Sequence, residues 1–473
     1  MVSPNSTTSV GGRMTWRFEN LSGWTLDAGV VLDDIFTRDG QYTLSGALPL
    51  TREGLVPQPF RSDYALAYLS ARRSLGGAEL VSTTSISRQD LATVFDATGY
   101  GGSATPQRFE ENNDTLLLSH ETRISGEDPR FPWVGGLAIL SNFSTLSRTL
   151  GPLDAPAQIA GVANLQAEAA LFGQVSRPIT PTLTGTIGER ITFADSTGIL
   201  LDQSTGLPVD VSRDVVRFAA TLALDWRPPG PLSAFFHYQQ GYRAGGLAVA
   251  PSGSGVASQR FMADQMNTDE IGLRLGEEAH DRLSLRAAAF FADWNHIQAD
   301  LVDTSGLPYT TNIGHGGIVG FDAELTWRPI AALELSAAAF INDSALYAPT
   351  PQFAVKGVQS LPNVARNGGR IAMVWRKPLA DGLNIEGDAS LRYVGRSNLG
   401  VGPVLDIPQG DYVVANAGVR LGFGRFALSL DVVNLGDVRA NTFAFGDPFG
   451  VAQRDQMTPL RPRTFRFGID AGF

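Results

Sequence analysis

Apolar and polar residues alternate with a period of two along most of this chain. In the last ten positions, Phe465, Phe467, Ile469, Ala471 and Phe473 share one parity, and Thr464, Arg466, Gly468, Asp470 and Gly472 the other. In "VRFAATLALDW", Val216, Phe218, Leu222, Leu224 and Trp226 oppose Arg217, Thr221 and Asp225. "LNIEGDASLRY" (383–393) and "RFALSLDV" (425–432) repeat the arrangement. Each segment has one apolar and one polar face at strand spacing. Spacings of three and four, which would build one helical face, are scarce.

The connections take turns between short and long. Short ones are "LSG" near 21–23, "LGG" near 75–77, "TPT" at 180–182, "PPGP" at 228–231, "EAHDR" at 278–282, "PIAA" at 329–332, "LADG" at 379–382 and "GFG" at 422–424. Long Gly/Pro/Asn/Ser-rich segments fall near 34–60, 94–112, 144–162, 244–263, 348–363 and 437–459. This predicts an all-β, up-and-down antiparallel meander of about 19 strands, and open sheets seldom exceed about ten without curling. A large barrel follows. So wide a lumen cannot be filled by side chains, so the charged face suits water and the aliphatic face suits lipid, the pattern of an outer-membrane barrel.

The tryptophans point the same way. Trp16, Trp226, Trp327 and Trp375 are each followed by arginine, just before a short turn. An amphipathic ring at strand ends, beside a cation, fits the interfacial girdle of a membrane barrel.

Composition narrows the function classes. The chain has 473 residues, 43% hydrophobic and 18% charged, with no cysteine. Disulfides, thiolate zinc sites and thiol nucleophiles are thereby excluded. A net charge of −10 with dispersed arginines argues against nucleic acid as a partner. No apolar run reaches the roughly 18 residues of a membrane helix. The opening "MVSPNSTTSV" has neither the basic nor the apolar region of a signal peptide.

Several short stretches occur together in order: "GYRAGG" (241–246), "TNIG" (311–314), "GFDAEL" (320–325), "VVNLGD" (432–437) and "PLRPRTFRFGI" (459–469), with Phe473 last. As a set they resemble the C-terminal barrel half of TonB-dependent outer-membrane receptors. The resemblance implies a 22-stranded barrel around an N-terminal plug, taking up iron–siderophore complexes, cobalamin or sugars with energy from TonB. It implies outer-membrane lipid, the TonB system and a small-molecule ligand such as a ferric siderophore as partners. The terminal aromatic resembles the signal read by the outer-membrane insertion machinery. The chain departs from the pattern in showing no plug, TonB box or signal peptide. The expectation is one barrel domain over 1–473 lacking the plug and the first strands. Such a barrel is incompletely closed, because its first and last strands would meet in parallel. A passive diffusion porin is the alternative reading.

Local chemistry gives little to an enzyme. "GHGGIVG" (314–320) places Val319 where a dinucleotide fingerprint needs glycine, and a strand pattern follows it. Asp293, His296 and Asp300 are separated by alternation, with Asp293 on the other face, and no two histidines stand at i, i+2 or i, i+4, so no local metal site is visible. Glu110–Glu111 and Glu277–Glu278 are adjacent pairs, which on a strand point to opposite faces. The expectation is no catalytic residue, cofactor or metal. Three residues near loop ends are candidates for binding substrate: Arg243, Asn312 and Tyr412. Arg243 is the foremost, since a guanidinium at a strand's upper end could meet an anionic ligand or a plug carboxylate; structural anchoring is the other reading of this position, and the favoured one.

Overall fold

A computed structural model of the chain describes residues 6–46, 50–126, 128, 130–200, 211–252, 255–277, 281–354, 359–380 and 382–472. Among them, nineteen strands form a single antiparallel sheet in which each pairs with the next along the chain. They are β1 (Thr7–Leu21), β2 (Trp24–Thr37), β3 (Phe60–Ser74), β4 (Ala78–Asp96), β5 (Gln107–Gly126), β6 (Trp133–Pro152), β7 (Ala157–Thr180), β8 (Leu183–Leu200), β9 (Val211–Trp226) and β10 (Leu232–Arg243). The meander continues with β11 (Asp264–Leu275), β12 (Leu283–Val302), β13 (Pro308–Ile330), β14 (Leu333–Pro349), β15 (Asn367–Ala380), β16 (Leu383–Val394), β17 (Tyr412–Phe423), β18 (Phe426–Val433) and β19 (Thr464–Ala471). Among the described residues β1 pairs only with β2, and β19 only with β18.

The two faces sort as the alternation dictates. Val216, Phe218, Leu222, Leu224 and Trp226 on β9 are all exposed on the outer face. Between them Asp225 faces inward, where Arg274 Nη1 reaches its Oδ1 at 3.4 Å. On β19, Phe465, Phe467 and Ile469 are exposed, Phe467 by 81%; Phe473 lies outside the described residues. An apolar outer face over continuous strand ladders is what a lipid surround requires, because hydrocarbon offers no partner to backbone groups.

Each Trp–Arg pair spans the wall. Trp16, Trp226 and Trp327 are exposed outward. The following arginines turn inward and meet carboxylates: Arg17 with Asp27 (2.7 Å), Arg227 with Asp225 (3.8 Å), Arg328 with Glu334 (2.9 Å) and Arg376 with Glu386 (2.6 Å). One dipeptide thus serves the lipid interface and the water-facing rim together.

A sheet with lipid outside and water inside has no core of its own. The packed interior lies at the long-loop end instead. Ile297, Ile313, Leu346, Phe353, Leu361 and Val451 belong to one buried cluster there, joining strand ends to the loops that follow them. The first and last long loops are also stitched together: Gln456 pairs with Leu44 and Met457 with Thr43 as a short antiparallel bridge. No described helix is long and apolar enough to cross a membrane.

Candidate functional site

The sequence segment 244–263, expected as one long loop, folds as a hairpin in which Gly246–Ser252 pairs with Gly255–Phe261. Its alternating Leu247, Ala248, Val249 and Ala250 carry the strand signal. The hairpin enters because β9 and β10 separate above the Thr221–Gln239 pair. Below it they are laddered; above it β9 stays with β8 as far as Val211–Gly198, and β10 stays with β11 as far as Arg243–Asp264.

Two asparagines on different walls hold the hairpin. Asn164 on β7 donates from Nδ2 to the Leu247 carbonyl at 3.0 Å and accepts from the Leu247 amide at 3.0 Å. Asn312 on β13 accepts from the Met262 amide at 2.6 Å. It donates to the carbonyls of Met262 (3.0 Å) and His296 (2.6 Å). Gln298 adds bonds to the Ala244 and Met262 carbonyls at 2.9 and 3.0 Å. Leu247 and Val249 bury against Val162. This packing needs glycine at 198, where a Cβ would stand 2.7 Å from Leu247 Cβ.

Arg243 closes the root. Its Nε donates to both carboxylate oxygens of Asp264, at 3.1 and 3.0 Å, and Nη2 also binds Asp264. Trp294 donates from Nε1 to the same carboxylate at 3.0 Å and lies under the guanidinium, 5.4 Å from ring centroid to Cζ. Asp264 is 2% exposed, so the pair desolvates one partner fully, and its loss would strand a buried charge. Arg243 and Asn312 therefore converge on one structure, the hairpin's attachment. Tyr412 is placed elsewhere, opening β17 opposite Val394.

Beneath the hairpin is a cavity of about 290 Å³ bounded by Arg217, Tyr242, Leu247, Arg260, Phe261 and Met262, with Asn164 at its edge. Arg217 lies 5.8 Å from the Tyr242 ring centroid, and Tyr242 donates to Glu168 Oε2 at 3.4 Å. Among the described residues neither Arg217 nor Arg260 has a carboxylate partner. That is a contrast with the rim arginines. Two guanidiniums without a described carboxylate partner, beside an aromatic wall, suit an anion that carries apolar or aromatic surface. The "GYRAGG" stretch signalled Tyr242 by adjacency; Asn164, Arg217 and Arg260 carried no local motif.

The remaining constellations are structural. Glu110 pairs with Arg108 at 2.6 Å and Glu111 with Arg148 at 2.7 Å. "GHGGIVG" lies within β13. The expected alternation across 293–300 fails at a bulge: Trp294 pairs with Gly316 and Ile297 with Gly314. Asn295 and His296 thus both face His315, and the two imidazoles lie 4.8 Å apart between centroids.

Comparison with known proteins gives the context. The model of the "TonB dependent receptor-like, beta-barrel" family matches residues 3–435. The chain belongs to the TonB-dependent receptor β-barrel family. It is thereby an outer-membrane protein of a receptor and transporter family, not of an enzyme family. No curated protein matches it by sequence. Among solved structures, the ferric yersiniabactin uptake receptor FyuA of Yersinia pestis matches with TM-score 0.79 and 15% identity. That match covers 99% of this chain and 71% of the receptor. The ferric-catecholate import receptor Fiu of Escherichia coli K12 matches with TM-score 0.75 and 14% identity, over 99% of this chain and 75% of Fiu. The ferric citrate transporter FecA, unliganded, gives 0.75 and 12%, over 99% and 70%. These likenesses are of fold.

Proposed function

We propose that residues 1–473 act as one barrel domain that captures a scarce anionic metal chelate at the outer surface, with a ferric siderophore as the cargo, for TonB-energised uptake. The observation that carries this reading is the cavity under the 246–261 hairpin, where Arg217 and Arg260, with no carboxylate partner among the described residues, stand beside Tyr242 and Phe261. A ferric siderophore that is anionic and carries aromatic or aliphatic surface complements that lining. The names of the solved neighbours, receptors and transporters of ferric chelates, agree with it. Arg243 and Asn312 serve the site indirectly, by holding the hairpin over it. Tyr412, at the mouth of another loop, is a separate contact for a ligand approaching from outside.

The test is binding against conductance. Detergent-purified chain is titrated with anionic, neutral and cationic ferric chelates while tryptophan fluorescence is followed, and the same preparation is placed in a planar bilayer. Saturable binding of an anionic ferric chelate supports the receptor. Stepwise conductance of small solutes without chelate binding would establish the porin instead.

A further inference from the structure

We propose that His296 and His315 form an open, two-imidazole site for a borderline-soft divalent cation of the Cu²⁺, Ni²⁺ or Zn²⁺ class. The site stands in the wall of β12 and β13, and the proposal does not depend on the identity of the chelate taken up under the hairpin.

The β12 bulge places Asn295 and His296 together opposite His315. Bulges re-aim side chains in this way beside functional sites. His296 is a non-glycine residue at φ +52, and Asn312 holds its carbonyl at 2.6 Å. A left-handed backbone that tertiary contacts enforce is a cost that a site can explain. The two rings lie 4.8 Å apart between centroids, tilted by 59°.

A chain of hydrogen bonds fixes the second imidazole. Asn295 Nδ2 donates to Asp293 Oδ2 at 2.9 Å, and Tyr347 Oη donates to the other oxygen of that carboxylate. The amide is thereby oriented, so its Oδ1 faces His315 Nδ1 at 2.7 Å. An amide oxygen only accepts, so Nδ1 carries the hydrogen and Nε2 of the neutral ring keeps its lone pair. Metal-binding histidines are oriented by such a partner on the other nitrogen. Imidazole selects copper, nickel and zinc over calcium and magnesium.

Among the described residues no group of three His, Cys, Asp or Glu surrounds the pair. The other coordination positions would therefore fall to water or to donor atoms of an incoming ligand. Arg217 is the cation whose field reaches His296, and it opposes a bare metal ion.

The probe is CuCl₂ added to the detergent-purified chain at neutral pH, read by calorimetry and electron paramagnetic resonance. One equivalent should bind with nitrogen hyperfine structure from two imidazoles. His296→Ala and His315→Ala should each weaken binding, and Asn295→Ala by about 10–100-fold, as loss of an orienting partner does. Arg217→Gln, which removes the opposing cation, should bind more tightly. The spectrum of the wild type tests the site even if a variant misfolds. Absence of a two-nitrogen copper signal, or undiminished binding in a folded His296→Ala/His315→Ala double variant, would overturn the proposal.

Discussion

Gln58 donates from Nε2 to Asp447 Oδ2 at 3.1 Å, joining loops 389 residues apart in sequence. Gln58 also reaches Tyr42 Oη at 3.1 Å, while Gln456 exchanges hydrogen bonds with the Asp447 backbone at 2.7 and 3.0 Å. These contacts clasp the loop after β2 to the loop before β19. They connect the two ends of the sheet above the membrane, where β1 and β19 each have a single ladder partner among the described residues.

The clasp should depend on pH. Burial, aided by the charge of Asp96, raises the Asp447 carboxyl to about 7, although the Phe449 amide, Arg52 and Gln58 favour its charged form. Burial and the Asp447 charge push the Tyr42 phenol up to about 12, so it stays protonated. A carboxyl raised above its unfolded value of 3.8 stabilises the clasp fully below that value. The contribution is lost as pH climbs through about 7. Proteolysis within 38–59 and 434–463 should accelerate between pH 5 and pH 8, and Asp447→Asn should flatten that dependence. Equal slopes for both proteins would refute the assignment.

Asn312→Ala should release the hairpin without unfolding the barrel. It leaves the Met262 amide and the His296 carbonyl without their side-chain partner, while Gln298 still reaches the Met262 carbonyl, at about 1–3 kcal/mol for a buried unsatisfied group. Hydrogen exchange over 246–262 should speed up while β13 remains protected. Asn164→Ala should act on the same segment from the opposite wall. Unchanged exchange in both variants would remove the clamp role.

Arg243→Ala should destabilise more than either asparagine variant, since it strands the buried Asp264 carboxylate at about 3–5 kcal/mol. A lowered melting temperature, partly restored by Asp264→Asn in the same chain, is expected. Restoration separates a structural ion pair from a lost ligand contact.

The tryptophans supply a check on orientation. In single-tryptophan variants, Trp16, Trp226 and Trp327 should be quenched by lipids brominated near the headgroup. Trp294, bonded to Asp264, should not be. Equal quenching of all four would contradict the sidedness of the wall.

Much of the barrel was legible because its determinants are local. Alternation on β9 and β19 fixed which residues face lipid, and the Trp–Arg dipeptides marked one rim. The site was less legible because it is made by distant strands. Asn164 and Asn312 are ordinary polar residues until the fold brings both to one hairpin. The His296–His315 contact was hidden for a different reason: a single bulge shifted the parity on which the sequence reading relied. Arg243 does end its strand, and its anionic partner within the described residues is Asp264.

Under the proposed function Arg217 and Arg260, which have no carboxylate partner among the described residues, recognise the cargo. Calorimetric titration of an anionic ferric chelate into wild type and Arg217→Ala/Arg260→Ala tests it most directly. The account predicts at least about tenfold weaker binding, roughly 1.4 kcal/mol, with an unchanged melting temperature and heat-modifiable migration. Wild-type affinity in the folded double variant would contradict it.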